Sequence, residues 1–255
     1  MSDKVVIVTG GTRGVGLGIT RYFLSQGAVV IVCGRTAPEE PITVEDRTAE
    51  FIEADVRKVE DIEKLVAHAK DGYGRLDVLV NNAGGSPPAD AATASPRFSE
   101  AIVKLNLLAP LWFSQKAYGV MSDQDSGGSI VNIASVSGLR PSPGTSAYGA
   151  AKAGLINLTK TLAIEWSPKV RVNAIVAGPI KTESSELHYG SAAGVARVGQ
   201  TIPMGRMATP ADIANVCGFL ASEQAAYLTG ACITVDGGGE LPAFLNAVED
   251  TTEDL

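Results

Sequence analysis

Histidine is nearly absent: only His68 and His188 occur in 255 residues, and neither has a partner at metal-ligand spacing. Zinc chemistry and histidine-based acid–base catalysis are not expected, and no metal site is assigned. Cysteine is also scarce. Cys33, Cys217 and Cys232 lie far apart among small or apolar neighbours, which excludes a disulfide framework and predicts reduced, buried thiols. Basic excess is missing as well. A net charge of −7 argues against nucleic acid or an anionic membrane as partner. No run approaches the ~18 apolar residues of a membrane span. Met1-Ser-Asp-Lys4 leads into a strand without the basic and apolar regions of a signal peptide. The expectation is a soluble, cytoplasmic protein.

Small and apolar residues are plentiful. The chain is 45% apolar, enough for one large domain with a developed core. Short β-rich runs alternate with helical patterns, the rhythm of a parallel sheet with crossover helices. The strand runs are Val5–Val8, Ala28–Cys33, Phe51–Ala54, Leu76–Val80, Ser129–Ala134, Val170–Ile175 and Cys232–Val235. Helical patterns cover about 15–26, 59–73, 99–119, 146–167 and 210–221. The expected fold is α/β: one doubly wound (Rossmann-type) domain over residues 1–239, a seven-stranded parallel sheet with helices on both faces. Residues 240–255 form an acidic, weakly patterned tail. Pro38, Pro41 and a cluster of acids within 35–47 predict a short or missing second crossover helix. Residues 181–209, rich in glycine and small residues, predict a long loop serving as an active-site lid.

Thr9-Gly-Gly-Thr-Arg-Gly-Val-Gly16 follows the first strand and opens the first helix. Gly10, Gly14 and Gly16 allow a tight turn and close backbone approach to a pyrophosphate at a helix N-terminus. The second strand ends Val32-Cys-Gly-Arg35, with no acid until Glu39 to take ribose hydroxyls as NAD sites do. Arg35 instead offers a planar cationic fork suited to a 2′-phosphate, and Arg13 could reach it from the other side. NADP(H) is the expected cofactor, with NAD(H) possible.

Tyr148 and Lys152 stand at i and i+4, with Ser135 upstream. On a helix the two share a face. A free tyrosine ionises near ~10, whereas an effective proton donor works near ~7, a gap of roughly 4 kcal/mol. One unit charge about 4 Å away, at an effective dielectric near 20, supplies about that much. The pair can therefore move a proton to or from an alcohol oxygen without metal, histidine or cysteine.

With these elements together, the chain resembles the short-chain dehydrogenase/reductase family over nearly its whole length. The Thr9–Gly16 segment is similar to that family's cofactor loop, and Asn81-Asn-Ala-Gly84 matches its Asn-Asn-Ala-Gly motif. Asp55-Val56 resembles the pair that contacts adenine, and Leu228–Gly238 the C-terminal strand signature. Asn106, Ser135, Tyr148 and Lys152 match the four catalytic positions in order and spacing. The resemblance implies cofactor contacts from Gly10, Thr12, Arg13, Gly14, Val15, Gly16, Arg35, Asp55, Val56, Asn82, Ala83, Gly84, Tyr148, Lys152, Gly178, Ile180 and Thr182. Two positions depart from the pattern. Ala177 replaces a proline, which is expected to loosen the turn presenting Ile180 and Thr182, and Ala151 replaces a serine with little chemical consequence.

The resemblance implies hydride transfer between a carbonyl and a secondary alcohol. Tyr148 acts as general acid or base, Ser135 positions the substrate oxygen, and Lys152 lowers the tyrosine pKa and holds the nicotinamide ribose. Asn106 holds a water that links Lys152 to solvent. Arg140, Pro141, Ser142, Pro143, Gly144, Tyr189 and Gly85-Ser-Pro-Pro88 are expected to border the substrate, a small-molecule ketone, 3-oxoacyl thioester or steroid. A homotetramer is implied. The alternatives are a non-catalytic nicotinamide-nucleotide sensor, and a sugar-nucleotide epimerase, usually a longer chain.

Overall fold

Strand β1 (Val5–Thr9) is four branched apolar residues and a threonine, all buried. Such a run has no face to give to water, so both sides must be covered by helices. Alternation sorts its side chains: Val5 and Ile7 enter one core cluster, Val6 and Val8 the other. The computed structural model describes residues 2–243. Residues 244–255, most of the expected acidic tail, lie outside the described residues.

The chain continues through β2 (Val29–Gly34), a small antiparallel hairpin of β3 (Thr43–Val44) and β4 (Arg47–Thr48), then β5 (Glu50–Glu53) and β6 (Val78–Asn81). The last three strands are β7 (Gly128–Ser135), β8 (Val170–Ala177) and β9 (Cys232–Val235). Seven strands form one parallel sheet in the order β5-β2-β1-β6-β7-β8-β9. The hairpin stands where the second crossover helix would be, so that helix is missing.

The helices are α1 (Gly14–Ser25), α2 (Val59–Tyr73), α3 (Pro96–Val103), α4 (Ala109–Met121), α5 (Ser146–Trp166), α6 (Ser185–Tyr189), α7 (Ala192–Gln200) and α8 (Pro210–Ala221). Ile19 and Phe23 of α1 join Ile213 and Leu220 of α8 over one sheet face. Leu65 of α2, Phe113 of α4 and Leu162 of α5 cover the other. Helices α1 and α8 cross closely because glycines face the contact: a Cβ on Gly218 would lie 2.1 Å from the Tyr22 ring.

The pattern over 99–119 predicts one helix, but the chain makes two joined by a π-helical turn, Lys104–Leu108. Pro110 lacks the N–H that an unbroken α-helix would donate to the Asn106 carbonyl, and the bulge accommodates it. Residues 181–209 also hold more order than their composition suggests, since α6 and α7 fold there around Gly190.

From β1 the chain runs outward to β2 and β5, then returns to β6 on the other side of β1. That reversal opens a crevice beyond the carboxyl ends of β1 and β6. Among the described residues no helix is long and apolar enough to cross a membrane.

Candidate active site

The glycine segment turns at the mouth of this crevice. Gly10 and Gly14 take φ of +62° and +52°, which other residues rarely adopt. Gly16 is required for space: a Cβ there would lie 2.1 Å from the Gly10 carbonyl and 2.5 Å from Asn82 Nδ2. Helix α1 begins with no capping side chain and no acid in its first turn, so its leading N–H groups are left for an anion.

Thr9 ties this turn to β6. Its hydroxyl accepts from the Asn82 and Ala83 N–H groups, each at 2.9 Å, while Asn82 Nδ2 donates to the Thr9 carbonyl at 2.8 Å. Behind it a buried polar chain reaches α5. Asn81 Nδ2 donates to Asn132 Oδ1 at 2.8 Å, and Asn132 Nδ2 donates to Thr159 Oγ1 at 2.9 Å. Thr9, Asn132 and Thr159 were missed as site residues. Asn132 carried a signal, a polar residue inside the apolar run Ile130–Ala134, whereas Thr9 closes a strand before two glycines and Thr159 is followed by Lys160.

The crevice is a cleft of about 900 Å³. Every residue expected to touch the cofactor lines it, and so does Ser135. Its wall also takes in Cys33, Glu39, Arg57, Leu187 and His188, none of which the sequence marked. Burial pushes the Cys33 thiol up to about 12, so it stays a neutral packing group. Asp55 is not free: Arg57 donates to it from Nε at 2.9 Å and Nη2 at 2.6 Å, and its backbone N–H from 3.0 Å. That hydrogen bonding, helped by the Arg35 charge, holds Asp55 down at about 2. The open helix terminus, the turn without room for Cβ atoms, and three arginines at one end of a long cleft fit a phosphorylated dinucleotide.

Ser135 ends β7, and Tyr148 and Lys152 rise from the first turns of α5. The i, i+4 spacing does put them on one face, but no hydrogen bond joins the ammonium to the hydroxyl. Lys152 Nζ lies 5.6 Å from the centroid of the Tyr148 ring and donates to the Ile133 carbonyl at 2.7 Å. Tyr148 keeps part of its surface exposed, yet desolvation raises its pKa; the Ser135 hydroxyl opposes the rise and Tyr189 adds to it. A buried ammonium needs a partner, and the carbonyl at the end of β7 supplies one.

Asn106 is fully buried and does not line the cleft. Its Oδ1 accepts from Gly85 N at 2.9 Å, and its Nδ2 donates to the Gly85 and Ile102 carbonyls, each at 3.0 Å. The side chain therefore clamps the turn after β6 and has no hydrogen left for a water. Acceptor capacity remains on Oδ1 and on the backbone carbonyl, which Pro110 cannot satisfy in α geometry.

Burial pushes Lys152 down from 10.5 to about 8. Between those values the unfolded chain holds more protons than the folded one, so stability rises with pH across that window. Measured against a Lys152→Met variant, the parent is expected to gain on the order of 3 kcal/mol there, read by denaturant unfolding at several pH values. A pH-independent difference contradicts the buried-ammonium geometry.

On the substrate side, only Gly85 of the expected residues reaches the cleft wall. Arg140 pairs with Glu240, and Ser142 Oγ bonds Ser137 Oγ at 3.1 Å and Thr145 Oγ1 at 2.6 Å. Ala89 N donates to the Gly144 carbonyl at 2.8 Å, joining the two loops that edge the site. The turn after β8 is held despite Ala177. Lys181 N donates to the Ala208 carbonyl at 2.8 Å and Ala208 N to the Pro179 carbonyl at 3.0 Å, bracketing Ile180.

A family model described as enoyl-(acyl carrier protein) reductase matches residues 10–240. A probable 2,4-dienoyl-CoA reductase of Bacillus subtilis is 36% identical over 247 residues, covering 93% of this chain and 97% of that protein. The ligand-free aldohexose dehydrogenase of Thermoplasma acidophilum superposes with a TM-score of 0.86 at 32% identity, over 98% of this chain and 96% of that one. A short chain dehydrogenase from Bacillus anthracis gives a TM-score of 0.81 at 33% identity, over 94% and 98%. With the parallel sheet, the glycine turn and these matches along nearly all its length, the chain belongs to the short-chain dehydrogenase/reductase family of nicotinamide-nucleotide-dependent oxidoreductases.

Proposed function

We propose that the protein interconverts a carbonyl and a secondary alcohol with NADP(H) as the preferred cofactor. One observation carries this reading: Ser135, Tyr148 and Lys152 line one end of a cleft that also holds the open N-terminus of α1 and Arg13, Arg35 and Arg57. The bound nicotinamide supplies or accepts the hydride. Gly10, Gly14 and Gly16 admit the pyrophosphate, Thr12 and Val15 edge it, and Arg35 takes the 2′-phosphate. Asp55 and Val56 flank the adenine, and Asn82, Ala83 and Gly84 the adenosine side. Gly178, Ile180 and Thr182 face the nicotinamide.

Tyr148 gives its proton to the substrate oxygen in reduction and takes it back in oxidation. Its raised pKa keeps it protonated at neutral pH, which suits the reducing direction. Lys152, held over the ring, favours the phenolate left after transfer. Ser135 donates to the substrate oxygen, and the Asn106 carbonyl anchors a water behind Lys152. Residues 1–239 act as one catalytic domain, with 181–209 as the lid. The half-buried Leu111 and Trp112 of α4 and the exposed Ile164 of α5 support assembly as a homotetramer, and the free cysteines a cytoplasmic setting.

The relatives' names span an enoyl thioester and a sugar, so the substrate is sought by screening. Carbonyl compounds and alcohols are offered with NADPH, NADH and their oxidised forms, and nicotinamide absorbance is followed. Consumption of NADPH by at least one carbonyl class is expected. A protein that binds the dinucleotide but consumes it with none of them would be a sensor, contrary to the reading.

A further inference from the structure

Eight large apolar side chains are markedly exposed among the described residues, and four of them, Leu139, Leu187, Tyr189 and Leu241, lie on segments that flank the catalytic mouth. Leu187 lines the cleft although 86% exposed. Leu139 precedes Arg140, and Leu241 follows Glu240, so the Arg140–Glu240 ion pair joins the two segments that carry these leucines. Leu241 N also bonds the Thr201 carbonyl at 2.8 Å, fixing that segment against the end of α7. The Tyr189 phenol sits near both Arg140 and Glu240, and close enough to Tyr148 to affect its ionisation. Exposed apolar residues are ordinarily scattered; half of them on segments flanking one opening is not that pattern.

Two polar side chains beside this opening are already spent on neighbours. Arg140 is taken by Glu240 and by the Pro141 carbonyl at 3.0 Å, and Ser142 by Ser137 and Thr145. A hydrocarbon entering here would cover leucine surface now facing water, a gain that a polyol cannot match. Building on the carbonyl–alcohol reading above, we infer that the substrate carries an apolar body, an alkyl chain or alicyclic skeleton, whose only required polar atom is the reacting oxygen. The Leu139, Leu187, Tyr189 and Leu241 rim holds that body, and Ser135 and Tyr148 hold the oxygen.

A series of methyl ketones from four to about ten carbons, with an aldose alongside, tests this. In NADPH-dependent reduction kcat/KM is expected to climb about threefold per added methylene over the first several, through KM with kcat nearly level. The aldose should lie about a hundredfold or more below the longest ketone. Leu139→Ser, at a site 59% exposed and so of small structural cost, should cut the ratio of longest to shortest ketone by about tenfold; Leu187→Ser should do the same. A flat series, or preference for the aldose, overturns the inference and leaves the carbonyl–alcohol reading standing. Should no ketone be reduced, that reading fails, and calorimetric binding of the matching secondary alcohols decides the inference alone. Chain-length-dependent binding lost in Leu139→Ser supports the apolar rim; chain-independent binding overturns it. Dissociation of the assembly by Leu139→Ser, with a flat series in the parent, would assign the rim to a second copy and also overturn it.

Discussion

Tyr148→Phe is expected to lower kcat by about 10²–10⁴-fold while the NADPH dissociation constant moves by less than about threefold. The substitution removes one oxygen and keeps the ring that stacks under the Lys152 ammonium. Neither the glycine turn nor the arginine end of the cleft touches that oxygen, so binding there has no reason to change. Proton transfer does. Lys152 is bound to the Ile133 carbonyl, and the Ser135 hydroxyl, though free to donate a hydrogen bond, is a far weaker acid than a phenol, so the best-placed acid is lost. Turnover within about tenfold of the parent would mean that the proton comes from elsewhere.

The second large effect concerns the other end of the cleft. The parent should bind NADPH about 10–100-fold more tightly than NADH, and Arg35→Ala should erase most of that difference by weakening NADPH alone. Strand β2 ends at Gly34, and Arg35 follows directly, exposed on the cleft wall with no carboxylate within salt-bridge distance among the described residues. A free guanidinium there has a charge to give to a 2′-phosphate. Arg57 stands nearby but is held bidentate by Asp55, so Arg57→Ala should matter less to the preference. Equal affinities for the two reduced cofactors in the parent would contradict the assignment.

The sheet was readable because parallel interior strands leave continuous apolar runs, as in Val5-Val-Ile-Val8. Helices α2 and α8 were readable to the residue, the one closed by Gly74 at φ +71°, the other opened by the Thr209–Asp212 capping box. The π-helical turn was not, since periodicity alone does not register one extra residue per turn; Pro110 was its only trace. Helices α6 and α7 were too short to set up a pattern across Gly190.

Within the site, motif spacing brought the right residues to one cleft but did not fix where long side chains end. The i, i+4 relation sets Cβ positions, and four further bonds let the Lys152 head reach Ile133 rather than the Tyr148 hydroxyl. Asn106 is the converse case. Its match to a catalytic position was legible, but its side chain is consumed by Gly85 and Ile102 through contacts that only the folded turn creates. The Asp55–Arg57 pair, local in sequence, escaped notice because short-range ion pairs have no pattern of their own.

The central claim is that the cleft holds a nicotinamide whose hydride-bearing carbon faces the oxygen protonated by Tyr148. NADPH deuterated on both faces of that carbon, incubated with the protein and a reduced ketone from the screen, tests it by mass spectrometry of the alcohol. Deuterium at the carbinol carbon is the predicted result. An alcohol formed without deuterium at that carbon would contradict it.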